Sequence, residues 1–353
     1  MTLNFPTSPS VNDTYTYNGT TFVWDGEKWD ASTPFLVNTA NIVDDAVTPA
    51  KVAVDDYTFS AINGGQLAGF RNQLINSDFR IWQRGQTFTD EGFTADRWQI
   101  LGSGNVTSVS RISQGTSPGS FNDALPFTRA AQLVLTGTGF FSQYIEIDYD
   151  QDARFRNNQL ITLSWWTTAT QVANDARISF TDTSANLNTS SNFTQTDFSL
   201  LETVAGWNHY KATFRCDQSP LASSRAVRVV LLFSAGTSSV SGVQLEPGSV
   251  ATPVEIRPIQ TELALCQRYF YKFSGELYAS TYARNDSSGD YRVVNFSFHT
   301  TMRSTPSMNN VTFSGGGTNL QIQASASAIS VIQSPKQVTA STALKNFEAD
   351  AEL

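Results

Sequence analysis

The feature that most constrains this chain is a two-residue alternation of apolar and polar side chains, repeated in short segments. Across residues 160–168, Ile161, Leu163 and Trp165 fall on one side while Thr162, Ser164 and Trp166 fall on the other. Successive side chains of a β-strand point to opposite faces, so this period predicts a strand with one face in a core. Across 140–149, Phe141, Ile145 and Ile147 align against Phe140, Tyr144, Glu146 and Asp148. Val227, Val229, Leu231 and Phe233 share a side, and residues 207–214 read as a further strand. Clusters of Gly, Ser, Asn and Asp separate these segments, a pattern that predicts a β-sandwich over residues 76–258.

The flanking regions differ. Residues 1–34 predict a small β meander in which Asn18-Gly19 and Asp25-Gly26 join short runs carrying Tyr15, Tyr17, Phe22, Trp24 and Trp29. Both dipeptides tolerate the positive φ that two-residue hairpin turns need. Those aromatics are too few for an independent core, so the meander is expected to dock on another chain. Residues 35–75 are small and polar and read as a stalk or linker. Over 259–273, Ile259, Leu263, Cys266, Phe270 and Phe273 are spaced four, three, four and three, which predicts a short helix with one apolar seam. That seam serves either packing against a sheet or a three-fold contact in a homotrimer. Alternation returns over 274–353, as in Val294, Phe296 and Phe298, with Gly315 to Gly317 as a turn, and predicts a C-terminal β domain with a modest core. The chain is therefore expected to be mostly β.

Composition narrows the function. Charged residues make up 15% of the chain, against about 25% in an average soluble domain, and the net charge is −8 with no dense Lys/Arg cluster. Binding to nucleic acid by counterion release needs such a cluster, so nucleic acid is not an expected partner. No apolar run approaches the length of a membrane span, and the first ten residues lack the basic and apolar regions of a secretory signal. Cys216 and Cys266 are too few for a disulfide framework and read as buried thiols. A neutral polar surface without a signal fits a protein made in a reducing cytoplasm and released by lysis as part of a particle.

Patterns that carry chemistry are sparse. His209 and His299 are far apart, each in an expected strand, and a typical zinc site needs more ligands. Residues 115–119 match G-x-S-x-G, but their flanks are loop-like and Pro118 opposes the strained turn a nucleophile needs. Asp148, Asp150 and Asp152 can gather oxygens around Ca²⁺; the other reading is a solvated loop, since the EF-hand positions for Gly and Glu hold Ala153 and Gln159. No carboxylate pair stands out for glycosidase work, and no repeating rungs mark a depolymerase helix. The chain is expected to be non-enzymatic. Trp166 must face away from Trp165, and with Tyr144 and Phe140 it falls on outward faces beside neutral polar groups. Such rings stack on sugars, or else pack a neighbouring subunit or loop. Trp166, Tyr144 and Phe140 are thus the glycan-binding candidates.

Two motif groups resemble bacteriophage tail-fibre and virion structural proteins. The first is INSDFRIWQRG at 75–85 with TADRW at 94–98, and the second is GVQLEPGSVATPVEIRP at 242–258 running into ELALCQRYF at 262–270. They bracket the expected sandwich in the manner of a carbohydrate-binding-module jelly roll. TMRSTP at 301–306, DAEL at 350–353, residues 38–53 and residues 15–29 are also similar to phage structural sequences. The resemblance implies a homotrimer in the virion tail, made in the bacterial host cytoplasm. It implies an N-terminal region docked on other tail proteins, a C-terminal half turned towards host surface polysaccharide, and no catalytic residues. In similar jelly rolls a structural Ca²⁺ lies between first and last strands, and Asp78 and Glu246 are the acids nearest those places. The ordinary reading is that both cap turns and that Trp82 and Trp98 are core. A purely structural virion role, as head decoration or tail connector, is the alternative function.

Overall fold

A computed structural model of the chain describes residues 4–31, 70–113, 124–147, 154–181, 193–217, 226–278, 280–282, 291–314, 320–333 and 343–352. The chain divides into two units, Met1–Phe59 and Ser60–Leu353. In the first, β1 (Thr14–Tyr17), β2 (Thr20–Trp24) and β3 (Trp29–Ala31) form the expected antiparallel meander. Tyr17 pairs with Thr20, so Asn18 and Gly19, at φ 47° and 79°, make the whole first turn. The second turn is longer than its Asp-Gly dipeptide suggests. Trp24 pairs with Trp29, and Asp25 Oδ1 accepts the N–H groups of Glu27 and Lys28 at 2.7 and 2.8 Å. Phe5, which the alternation does not flag, stacks on Trp29 at 5.3 Å and meets Tyr15 and Phe22 edge-on. Even so, no residue from 4 to 31 is fully buried, as befits a unit too small to close a core.

The second unit contains a two-sheet sandwich. The larger sheet runs β12 (Phe193–Val204), β13 (Trp207–Cys216), β10 (Leu160–Thr167), β15 (Gly236–Pro247), β8 (Arg129–Leu135), β7 (Val106–Ser113) and β4 (Thr87–Phe88). The smaller runs β11 (Ala176–Thr181), β14 (Ala226–Phe233), β9 (Gly139–Glu146), β6 (Gln99–Leu101) and β5 (Gly92–Phe93). From β8 the chain crosses between sheets at nearly every step, and β15 returns between β8 and β10. This is a jelly-roll order, altered in that β12 hairpins onto β13 and extends the larger sheet. The residues that alternation assigns to the core fill the space between sheets, among them Trp165, Phe141 and Val229, all fully buried. Trp82 and Trp98 are core as well.

The sandwich begins before residue 76. Gln73 N–H donates to Leu245 O at 2.8 Å, and Asn72 Nδ2 donates to Val243 O at 3.0 Å. Residues 70–75 therefore lie along β15 and are not linker; residues 35–69 of the expected stalk fall outside the described residues.

The helix α1 (Ile259–Gln267) is shorter than 259–273, because β16 (Phe270–Tyr278) follows almost at once. Of the two readings of the apolar seam, packing within the chain holds for Cys266 and Phe270, which are not available to a three-fold contact. Cys266 and Phe270 are buried in their own chain, at 0% and 2% exposure, while Ile259 is 40% exposed and Leu263 half-buried. Phe270 and Phe273 completed a heptad-like spacing only because strand residues happened to fall in phase with it. The side that α1 buries carries Glu262 and Cys266.

The C-terminal strands form two further sheets. One is β16, β22 (Ala343–Asp350) and β19 (Ser307–Ser314); the other is β17 (Ser280–Tyr282), β18 (Tyr291–Ser297), β21 (Ala328–Gln333) and β20 (Leu320–Ala324). Their shared core, built on Tyr271, Phe298, Met302 and Phe347, is small. It is joined to the sandwich by a buried polar seam. Arg97, 1% exposed, forms an ion pair with Glu352 and donates through Nη2 to Tyr144 O at 2.5 Å. Its guanidinium lies 3.4 Å from the centre of the Tyr269 ring. Arg84 pairs with Asp350 at 3.1 Å and Glu352 at 3.4 Å, and covers the Phe270 ring at 3.7 Å. Asn76 N–H donates to Glu262, which also pairs with Arg257 at 3.3 Å. Arg303 closes the seam by donating to the carbonyls of Ala351 and Glu352 at 2.9 and 3.2 Å. Burial lowers the Arg97 pKa to about 10, so it stays charged at neutral pH. Phe79 and Arg97 hold positive φ, 53° and 73°, a strained backbone that persists where the surroundings dictate it.

Breaking a buried pair by removing one partner costs about 3–5 kcal/mol. Glu352→Gln is therefore expected to lower the urea-unfolding free energy of the whole chain by that order. Exposed Glu27→Gln is expected to change it by less than about 0.5 kcal/mol. Tryptophan-fluorescence urea titrations of the two variants check the difference.

Candidate functional site

The three glycan-binding candidates do not share a surface. Trp166 lies on β10 of the larger sheet, whereas Tyr144 and Phe140 lie on β9 of the smaller one. Nor are they open platforms. Trp166 does face away from Trp165 and the main core, as alternation requires, but it is 3% exposed. The segment around Leu125 and Phe127 covers it and makes a second small core with Trp207 and Val254. Tyr144 is 6% exposed, with Arg228 beside its ring at 5.1 Å. Phe140 is half-buried, in register with Leu232 and Leu101. Alternation reports which face a side chain takes, and is blind to what a distant segment lays over that face.

The acids nearest the implied Ca²⁺ site are engaged by the chain itself. Asp78 is ion-paired with Arg80; burial raises its pKa and Arg80 opposes the rise. Glu246 accepts from Thr252 N–H at 2.8 Å, Thr252 Oγ1 at 2.6 Å and Gln244 Nε2 at 2.9 Å, so it caps the turn after β15. Among the described residues no three His, Cys, Asp or Glu side chains gather as metal ligands. Asp148, Asp150 and Asp152 lie outside the described residues, as do Gly115 to Gly119. Cys216 and Cys266 are both buried, and burial raises the Cys266 thiol well above its ordinary range. His299 Nδ1 meets Tyr271 Oη at 2.9 Å in the C-terminal core.

What the fold does bring together is a row across three strands. In β10, β13 and β12, Trp166 is in register with His209, and His209 with Glu202. The Trp166 and His209 rings stack, 4.5 Å apart and 10° from parallel. His209 Nδ1 is 3.4 Å from Glu202 Oε1. A carboxylate only accepts, so in neutral His209 the proton sits on Nδ1 and Nε2 is a bare acceptor. Burial lowers the His209 pKa, with Glu202 pulling the other way. These residues line a groove of about 370 Å³, walled by Leu201, Pro126 and Val254. The sequence marked Trp166 but not His209, and only the pairing register of β13 against β10 could have joined them. A second groove, about 450 Å³, contains Tyr144, but its cations are committed: Arg268 to Glu146, and Arg154 to Gln73 and the Glu146 carbonyl.

No protein-family model matches the chain, and no curated protein sequence matches it. Among the described residues no helix is long and apolar enough to cross a membrane.

A histidine whose folded pKa lies below its ordinary 6.5 takes up its proton more readily when unfolded. Stability contributed at this site is therefore present above that value and lost as pH falls from it towards the folded value. His209→Gln is expected to flatten this part of the stability–pH curve. An unchanged slope between the two proteins would contradict the assignment.

Proposed function

We propose that this chain is a non-enzymatic phage tail-fibre subunit that attaches the particle to host-surface glycans. It would act as a homotrimer, with the N-terminal meander docked on another tail protein. The observation that carries the proposal is the groove at Trp166 and His209, where stacked rings and aliphatic walls meet a single exposed carboxylate among the described lining residues, and not the two that glycosidases use. Sugar recognition draws on such a mixture of apolar and polar faces. Three copies would multiply a weak single-site affinity. The motif acids Asp78, Glu246, Glu262 and Glu352 are engaged by donors of the chain itself, which supports a binding role over hydrolysis. The absence of any fully buried residue over 4–31 supports a docking role for the meander.

A purely structural virion role is the second reading. It is favoured by the use of the motif residues in an internal seam. The test is the purified full-length chain on a glycan array, with reducing-sugar release and light scattering measured alongside. The expected result is binding to host-surface glycans, no released sugar, and a mass three times the 38.7 kDa chain. Absence of binding would favour the structural role, released sugar would overturn the non-enzymatic reading, and a monomer would remove the trimer.

A further inference from the structure

Two residues that line the groove, Trp166 and His209, each carry a buried polar atom that the fold leaves unanswered. Trp166 and His209 are 3% and 8% exposed, and neither Trp166 Nε1 nor His209 Nε2 has a hydrogen-bond partner. Each such buried group costs about 1–3 kcal/mol. Their chemistry is complementary: an indole N–H can only donate, and Nε2 of neutral His209 can only accept. The two rings that carry them stack face to face, 4.5 Å apart. A vicinal diol offers what the pair lacks, one oxygen to accept and a neighbouring hydroxyl to donate.

We infer that this groove binds a neutral sugar, whose adjacent hydroxyls accept from Trp166 Nε1 and donate to His209 Nε2. Leu201, Pro126 and Val254 supply aliphatic surface for the C–H face of the ring. Glu202, with its side chain 53% exposed, accepts a further hydroxyl. The same carboxylate repels acidic sugars, and among the described residues no Lys or Arg lines the groove to offset it. Both nitrogens are shut off from bulk water, so the sugar reaches them by displacing a wall. One wall, β12, is an edge strand whose pairing register with β13 shifts between Leu200 and Glu202. This inference rests on the glycan-attachment reading and narrows it to one site and one sugar class.

The test uses the full-length chain with its tryptophan indoles labelled with nitrogen-15. The Trp166 N–H resonance is identified by its loss in Trp166→Phe, which keeps an aromatic ring in the stack and removes the indole donor. Glucose, galactose and mannose are titrated, with glucuronate as the acidic counterpart. At least one neutral hexose is expected to shift the Trp166 signal, and Trp166→Phe to weaken its binding about tenfold, the worth of one buried hydrogen bond. Leu201→Trp, on the exposed wall, is expected to block the shift while leaving both buried nitrogens in place. If no neutral hexose moves the signal, or if glucuronate binds as well, the inference is overturned. On a glycan array the two failures separate. Equal binding by wild type and Trp166→Phe would sink this site and leave attachment standing; no binding by wild type would sink both.

Discussion

The buried contact between Arg97 and Glu352 organises the second unit. A guanidinium taken out of water is tolerable only with a charge partner and filled hydrogen-bond positions. Here those come from the extreme C-terminal segment, the Tyr144 carbonyl and the face of Tyr269. The sandwich therefore holds a cation whose anion is delivered only when the C-terminal sheets are in place. The aromatic core of those sheets is thereby anchored to the sandwich of the same chain. This changes the expected source of their stability, which the modest C-terminal core alone would have assigned to neighbouring copies.

The two motif groups that bracket the sandwich find their physical meaning in this seam. Asn76, Gln83, Arg84, Asp96 and Arg97 come from the first motif group, Arg257, Glu262 and Tyr269 from the second, and Asp350 and Glu352 from the last residues. They lie far apart in sequence and close around α1 and β16. Gln83 shows the economy of the arrangement: its side chain donates to Asp96 and, at 2.9 Å, to the carbonyl of Phe270. Residues of this kind read as ligands when met singly in a sequence. In the fold, Asp78 and Glu246 serve as internal acceptors, and that use follows from the low-dielectric places they occupy.

Much of the architecture was legible from alternation. The core faces of β9, β10 and β14, the meander and the strands that follow α1 agree with period-two patterning and turn residues, and the buried thiols with the low cysteine count. The failures share one cause, which is contact between segments distant in sequence. Phe270 looked helical because a strand residue fell in phase with α1. Trp166 looked open because Phe127 and Val254, which cover it, are remote along the chain. His209 seemed a solitary strand histidine until register set it against Trp166 and Glu202. Local patterning fixes the face a residue occupies, whereas exposure and partnership are set by topology.

The central claim is that the seam makes sandwich and C-terminal sheets one cooperative structure. Native-state hydrogen exchange at rising urea tests this directly, by comparing amides of β10 and β15 with amides of β16 and β22. The account predicts that the most protected amides in both sets open with one free energy and one urea dependence. C-terminal amides that open at distinctly lower free energy, with a smaller urea dependence of their own, would contradict it.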